Sequence, residues 1–131
     1  MLAVLLACLI AGDSIALALA RDAPLCAVDA EVGIGSAAIV ARVRPVPLVV
    51  VSAGSNDPDN PRLVRNLLEI RIRAGVSPVV WVVPADRRAA AAVIAVARLA
   101  HDRTVAFVPG RDGVHPQCPR CLAAKIFAAG Q

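Results

Sequence analysis

Three short polar clusters in this 131-residue chain carry the residue types that nucleophilic catalysis requires. They read GDS at 12–14, GSND at 54–57 and DGVHP at 112–116. A serine hydroxyl becomes a nucleophile when a neighbouring base accepts its proton, and that base needs an acid that orients it. Such groups are supplied by Ser14, His115 and Asp112, and the last two are close enough in sequence to share one loop. The clusters therefore predict acyl transfer through a serine.

The elements that must position these clusters are apolar segments of strand length that alternate with helical segments. We predict strands over 2–11, within 25–32, and over 48–53, 79–83 and 104–108. We predict helices over 14–20, 36–43, 86–100 and 119–129, and a further one with Pro61 in its first turn. Ser36 and Asp86 are the candidate N-cap residues of two of these helices.

Five apolar strands that alternate with helices favour a parallel sheet with right-handed crossovers. The simplest such α/β architecture is a flavodoxin-like, three-layer sandwich, whose five-stranded parallel sheet in the order 2-1-3-4-5 has helices on both faces. The 27 Ala and 20 Val suit buried strands covered by Ala-rich helices. No linker or internal repeat interrupts the pattern, so we expect one domain over 1–131. Ligands of such sheets bind outside the carboxyl ends of the strands, where all three clusters fall.

Composition excludes two classes of protein. Hydrophobic residues make up 58% of the chain and charged residues 18%, which rules out disorder caused by low hydrophobicity. The net charge of +4 comes from scattered arginines, and the chain has no Tyr and two Phe. It therefore lacks both the cationic run and the stacking platform of a nucleic-acid-binding protein. We expect a small ester substrate as the partner and no nucleic acid.

The apolar N-terminal segment 1–20 has two interpretations. It resembles a signal peptide in its length and in the small residues at its end, but no basic residue precedes the apolar run and Asp13 interrupts it. It is also too short and too divided to span a bilayer. We interpret it as the central first strand followed by a turn, which predicts a cytoplasmic protein without membrane insertion.

The clusters GDSI at 12–15, GSND at 54–57 and DGVHP at 112–116 resemble three of the four sequence blocks of the SGNH (GDSL-like) hydrolase superfamily, in the same order. The resemblance implies that Ser14 is the nucleophile, His115 the base and Asp112 its partner. It also implies an oxyanion hole formed by the Ser14 N–H, the Asn56 amide and a glycine N–H after the second strand. That glycine is Gly33 or, as the alternative, Gly35.

The expected function is a serine hydrolase that cleaves carboxylic esters through this triad and oxyanion hole, with carbohydrate O-deacetylation as one form of the activity. This chemistry needs no cofactor and no metal. The alternative is a non-enzymatic flavodoxin-like module with a metal- or redox-linked pair formed by Cys118 and Cys121. Labelling of Ser14 by a fluorophosphonate distinguishes the two.

The four cysteines allow several arrangements. Cys8 falls within the first strand and is expected to be an inert apolar residue. A disulfide could join Cys118 to Cys121, or one of them to Cys26, but only in an oxidising compartment. A zinc site would need Cys26 and His115 as well, which would remove the base of the triad.

Four further residues have simple structural interpretations. Asp13 either fixes the turn that carries the nucleophile or is solvated. Asp57 and Asp59 close the loop before Pro61. Trp81 lies in the middle of a strand and belongs to the core.

Overall fold

The computed structural model describes residues 7–23 and 25–127, which form five strands and five helices in strict alternation. The strands are β1 (Leu9–Gly12), β2 (Ala27–Ala30), β3 (Val49–Ser52), β4 (Val79–Val82) and β5 (Arg103–Val105). The helices are α1 (Ser14–Ala20), α2 (Ser36–Val40), α3 (Leu63–Arg73), α4 (Arg87–Ala100) and α5 (Pro119–Phe127).

The strands form one parallel sheet in the order β2-β1-β3-β4-β5, which confirms the predicted α/β fold class and strand order. Because side chains alternate along a strand, the central strands supply two separate cores. On β3, Val49 and Val51 face helices α2, α3 and α4, whereas Val50 faces α1 and α5. The helices therefore cover both faces of the sheet.

The core is built mainly from small and β-branched residues, as the composition predicts. Trp81 is its largest side chain and is fully buried on β4, and its indole N–H donates a hydrogen bond to the carboxylate of Asp102 at 3.0 Å. Helix α4 begins after Asp86, whose carboxylate accepts from two backbone N–H groups of the first turn. It ends at His101, which takes a left-handed conformation.

Several element boundaries differ from the prediction. Ser36 is the first residue of α2, and Gly35 occupies the N-cap position instead. Pro61 lies outside the first turn of α3, which has Arg62 as its N-cap. Strand β5 spans Arg103–Val105 and ends three residues before the predicted end at position 108. Positions 2–6 of the predicted first strand and 128–129 of the last helix lie outside the described residues.

The cysteines form two disulfides, Cys8–Cys26 and Cys118–Cys121. The prediction that Cys8 is an inert apolar residue is therefore wrong. Cys8 directly precedes β1 and Cys26 directly precedes β2, and these adjacent strands pair Leu9 with Ala27. The register thus brings the two cysteines together, with their Cα atoms 4.7 Å apart.

We predict that the double variant Cys8→Ser/Cys26→Ser loses about 3 kcal/mol of unfolding free energy, because this disulfide closes a loop of moderate length. The matched control is Cys118→Ser/Cys121→Ser, which opens a loop of three-residue separation and should lose less. Urea unfolding of the three proteins measures both values. An equal loss in the two variants would contradict the prediction.

Candidate active site

The three residues predicted for acyl transfer meet at the carboxyl edge of the sheet. The Ser14 Oγ lies 2.7 Å from His115 Nε2, although the residues are 101 positions apart. The other ring nitrogen, Nδ1, lies 2.6 Å from Asp112 Oδ2. The arrangement is a continuous hydrogen-bonded chain of hydroxyl, imidazole and carboxylate, which is the geometry that activates a serine nucleophile.

Ser14 is placed by the end of β1 and the start of α1. Gly12 ends the strand with φ +145°, and a Cβ atom there would stand 2.0 Å from the carbonyl oxygen of Ser52. Only glycine permits this approach. Asp13 is then the N-cap of α1 and Ser14 its first residue, so the Ser14 N–H belongs to the first turn, where backbone N–H groups lack partners within the helix.

The Asp112–His115 segment is held by its own backbone. Asp112 Oδ1 accepts hydrogen bonds from the N–H groups of Val114 and His115, both at 2.9 Å, while Oδ2 faces the imidazole. These two backbone bonds, followed by the bond from the imidazole, lower the pKa of Asp112 to about 2. The carboxylate is therefore ionised at neutral pH and accepts a hydrogen bond from Nδ1–H. That tautomer leaves Nε2 free to accept the proton of Ser14.

The site is open to solvent. The side chain of His115 is 45% exposed and that of Asp112 is 53% exposed. A shallow depression of about 750 Å³ lies on the loop 109–117 that carries both residues. A smaller cavity of about 220 Å³ lies beside this loop, and its lining residues are Ser55, Pro58, Ala85, Asp86, Gly113 and Val114.

Besides Ser14, the residues predicted to form the oxyanion hole lie on the loops after β2 and β3, the two strands that flank β1. Asn56 follows β3, and its side-chain amide donates to the carbonyl of Ile34 at 2.9 Å. Ile34 stands between Gly33 and Gly35 in the loop after β2. Among the described residues, none of the three predicted donors is hydrogen-bonded to the Ser14 hydroxyl, whose partner is His115. An Asn amide has two N–H groups, so one remains for a substrate.

Asp13 is buried, 1% exposed, so the interpretation that it is solvated is wrong. Its Oδ1 accepts hydrogen bonds from the Ile15 N–H at 3.0 Å and from the Ser52 hydroxyl at 2.9 Å. Its Oδ2 is buried without a hydrogen-bond partner. Burial raises the pKa of Asp13, and these hydrogen bonds oppose the rise only in part. Asp13 therefore fixes the turn that precedes the nucleophile.

The sequence interpretation missed two residues beside the site, Ser52 and Ser36. Ser52 ends the apolar run of β3, and its hydroxyl bonds to Asp13. The Ser36 hydroxyl donates a hydrogen bond to Asp57, which therefore does more than close the loop before Pro61. The position of Ser52, a polar residue at the end of a buried strand, is a signal in the sequence for its contact with Asp13. Nothing in the sequence indicates that Ser36 bonds to Asp57.

The alternative zinc ligands are not arranged around a common point. Cys26, Cys118 and Cys121 are all in disulfides, and His115 is bonded to Ser14 and Asp112. No cluster of three potential metal ligands occurs within 7–23 and 25–127. Over the same residues, no helix has the length and apolar character needed to cross a membrane.

The fold, but not the sequence, matches a known protein. The sequence matches no protein-family model and no curated protein. The structure matches the C-terminal catalytic domain of peptidoglycan O-acetyltransferase A (OatA) of Streptococcus pneumoniae, solved with a methylsulfonyl adduct. The TM-score is 0.64 and the identity 18%, over 93% of this chain and 90% of that domain. The two proteins share a fold, which agrees with the predicted α/β architecture.

We predict that Asp13→Asn changes stability in a pH-dependent way. The raised pKa means that the folded state binds this proton more tightly than the unfolded chain does. The stability contributed by Asp13 is thus fully present below its ordinary pKa of 3.8 and is lost as the pH rises through the folded value. Asn does not titrate, and its oxygen still accepts from Ile15 and Ser52. The variant should therefore gain stability relative to the wild type as the pH rises above 3.8.

Urea unfolding at each pH measures this difference. Asp22→Asn is the control, because it removes a carboxylate from an exposed position. A difference between Asp13→Asn and wild type that stays constant with pH would contradict the prediction.

Proposed function

We propose that this chain is a serine acyl esterase of the SGNH type, with Ser14 as nucleophile, His115 as base and Asp112 as its partner. The observation that carries the proposal is the 2.7 Å contact between Ser14 Oγ and His115 Nε2. The fold shared with a catalytic domain that acts on acyl groups supports it. The low pKa of Asp112 also supports it, because an ionised partner stabilises the imidazolium that forms during the reaction.

The proposed reaction has two halves. Ser14 Oγ bonds to the ester carbonyl carbon while its proton passes to His115 Nε2. The oxyanion accepts hydrogen bonds from the Ser14 N–H, the Gly33 or Gly35 N–H and the Asn56 amide. The carbon–oxygen bond to the alcohol then breaks, and His115 returns the proton to the departing oxygen. A water molecule then gives a proton to the same imidazole and attacks the acyl carbon. The bond from that carbon to Ser14 Oγ breaks, His115 returns the proton to Oγ, and the carboxylic acid leaves.

The proposed substrate is an O-acetyl ester of a carbohydrate, with peptidoglycan as one candidate. The matching domain is named as a peptidoglycan O-acetyltransferase, and the reaction in that name transfers an acetyl group to oxygen. The open surface around His115 suits a large, polar alcohol group better than a long acyl chain, which needs an enclosed apolar pocket.

The proposed location is an oxidising compartment. The protein has two disulfides. Disulfides persist in oxidising compartments and are rare in the cytosol. The cytoplasmic location expected from the N-terminal segment stays a prediction, and the disulfides argue against it. An oxidising compartment also agrees with a cell-wall glycan as the substrate.

The alternative function is a non-enzymatic module whose Cys118–Cys121 pair is redox-linked. The exposed position of Cys121 favours it, since an exposed disulfide is open to attack by a thiolate. This alternative gives no role to the chain of hydrogen bonds between Ser14, His115 and Asp112. Cys118→Ser/Cys121→Ser should keep full ester turnover if the esterase proposal is correct.

We predict that a fluorophosphonate probe labels wild-type protein and that Ser14→Ala abolishes both labelling and hydrolysis of 4-nitrophenyl acetate. Asn56→Ala should keep the label and lower kcat by roughly 10²–10³-fold, because one oxyanion donor is lost. Ser77→Ala is the control, since Ser77 is a buried serine on the opposite edge of the sheet. If Ser14→Ala and His115→Ala hydrolyse the ester at the wild-type rate, the proposal is wrong.

The same variants test the substrate class on natural esters. Wild type and Ser14→Ala are compared on O-acetylated peptidoglycan fragments, acetylated xylo-oligosaccharides and esters of increasing acyl length. We expect Ser14-dependent acetate release from the acetylated saccharides and declining rates as the acyl chain grows. Preference for long acyl chains would contradict the proposed substrate but leave the esterase mechanism intact.

We predict that kcat rises with pH in a single step to a plateau. Asp112 does not contribute a step, because its backbone hydrogen bonds hold its pKa at about 2 and the carboxylate is ionised throughout the assay range. His115 accepts the proton of Ser14 only while its Nε2 carries no proton of its own. Asp112→Asn should lower the plateau, although less than Ser14→Ala lowers activity. A second step on the acid side of the wild-type profile would contradict this assignment.

A further inference from the structure

A partly buried polar network joins the loop after β2 to the loop after β3, and Asp57 is at its centre. The Asp57 carboxylate accepts hydrogen bonds from the Ser36 N–H at 3.1 Å to each oxygen, from the Ser36 hydroxyl at 2.6 Å and from the Asn60 amide at 3.0 Å. Ser36 is fully buried, and its hydroxyl in turn accepts from the Asn66 amide at 3.0 Å. Both the N–H and the hydroxyl of Ser36 therefore have hydrogen-bond partners.

Asp57 supplies the cap that helix α2 lacks in its own sequence. The N-cap residue, Gly35, has no side chain to accept a hydrogen bond from the first turn. Asp57, 21 positions away from Ser36, accepts from that turn instead. A Cβ atom on Gly35 would stand 3.3 Å from the Asp57 carboxyl group, so the glycine lets the loop pack closely against it.

Asn56, the neighbour of Asp57, holds the same loop at a second point. Its amide donates to the carbonyl of Ile34, and Asp57 accepts from the N–H of Ser36. The two contacts are made at Ile34 and Ser36, which lie on either side of Gly35, and Ile34 directly follows Gly33. The proposed glycine donor and the proposed amide donor of the oxyanion hole are thus linked through two adjacent residues of one loop.

We propose that Asp57 is a positioning residue for the oxyanion hole: through Ser36 it sets the separation between the glycine N–H after β2 and the Asn56 amide. This inference rests on the proposed esterase function. Oxyanion donors stabilise a transition state only when they are held in place beforehand, and a displacement of about 1 Å can cost 10²-fold in rate. Asp57 does not contact the substrate and acts through the loop that it holds.

The test compares Asp57→Ala and Asp57→Asn with Ser77→Ala, a control that also breaks a buried hydrogen bond. The Ser77 hydroxyl accepts from the Val46 N–H at 3.0 Å, on the amino edge of the sheet. We expect Asp57→Ala to lower kcat for 4-nitrophenyl acetate by about 10²-fold with KM changed by less than about twofold. We expect Asp57→Asn to lose less, because its remaining oxygen still accepts from Ser36. Ser77→Ala should lose stability without losing kcat.

Hydrogen exchange gives a readout that does not depend on turnover. The amide N–H groups of Gly35 and Ser36 should exchange at least about tenfold faster in Asp57→Ala than in wild type, and at an unchanged rate in Ser77→Ala. The proposal is overturned if exchange is unchanged, or if Asp57→Ala retains the kcat of Ser77→Ala. If Ser14→Ala keeps wild-type activity, the esterase proposal fails and with it the catalytic part of the role. Exchange still decides whether Asp57 holds the loop.

Discussion

The close approach of β1 to β3 at Gly12 constrains everything around the proposed nucleophile. The backbone of Gly12 passes so near the Ser52 carbonyl that no side chain fits between them. The same carbonyl accepts a hydrogen bond from the Asp13 N–H at 3.2 Å, and the Ser52 hydroxyl donates to the Asp13 carboxylate. Since Ser14 is the next residue, its place above the sheet is set by contacts within the core. His115 reaches it from a surface loop.

The two ends of the Ser14–His115–Asp112 hydrogen-bonded chain are therefore held by different physical means. Ser14 depends on a buried turn that keeps a carboxylate out of water, with one oxygen of Asp13 lacking a partner. Burying such a group costs free energy, and a cost of this kind is found where a site must be held rigidly. Asp112 and His115 are half exposed, where solvent weakens charge–charge attraction. Their geometry depends instead on short hydrogen bonds within one loop.

The sequence allowed the alternation and the strand order to be predicted, because both depend on local patterns. It also indicated Ser14, Asp112 and His115, which the structure brings into contact. Apolar runs such as 48–53 and 79–83 are bounded by Pro or Gly, and the polar cluster GSND directly follows the first of these runs. The Cys8–Cys26 disulfide could not be predicted, because it depends on the register between β1 and β2. The contact of Asp57 with Ser36 depends in the same way on how two loops meet across β1. Both are non-local relations between side chains that carry no local signal.

The exposure of the site decides which acceptor the acyl group meets. In the proposed mechanism, the acyl-serine lies next to a half-exposed His115 and would contact bulk water, which the same imidazole could activate in place of an alcohol. Transfer to a second sugar would require that sugar, or another bound surface, to exclude water from the depression on the loop 109–117. Nothing within the described residues covers that depression. The proposed reaction is therefore hydrolysis unless a bound acceptor covers the acyl-serine, even though the domain that shares the fold is named for transfer.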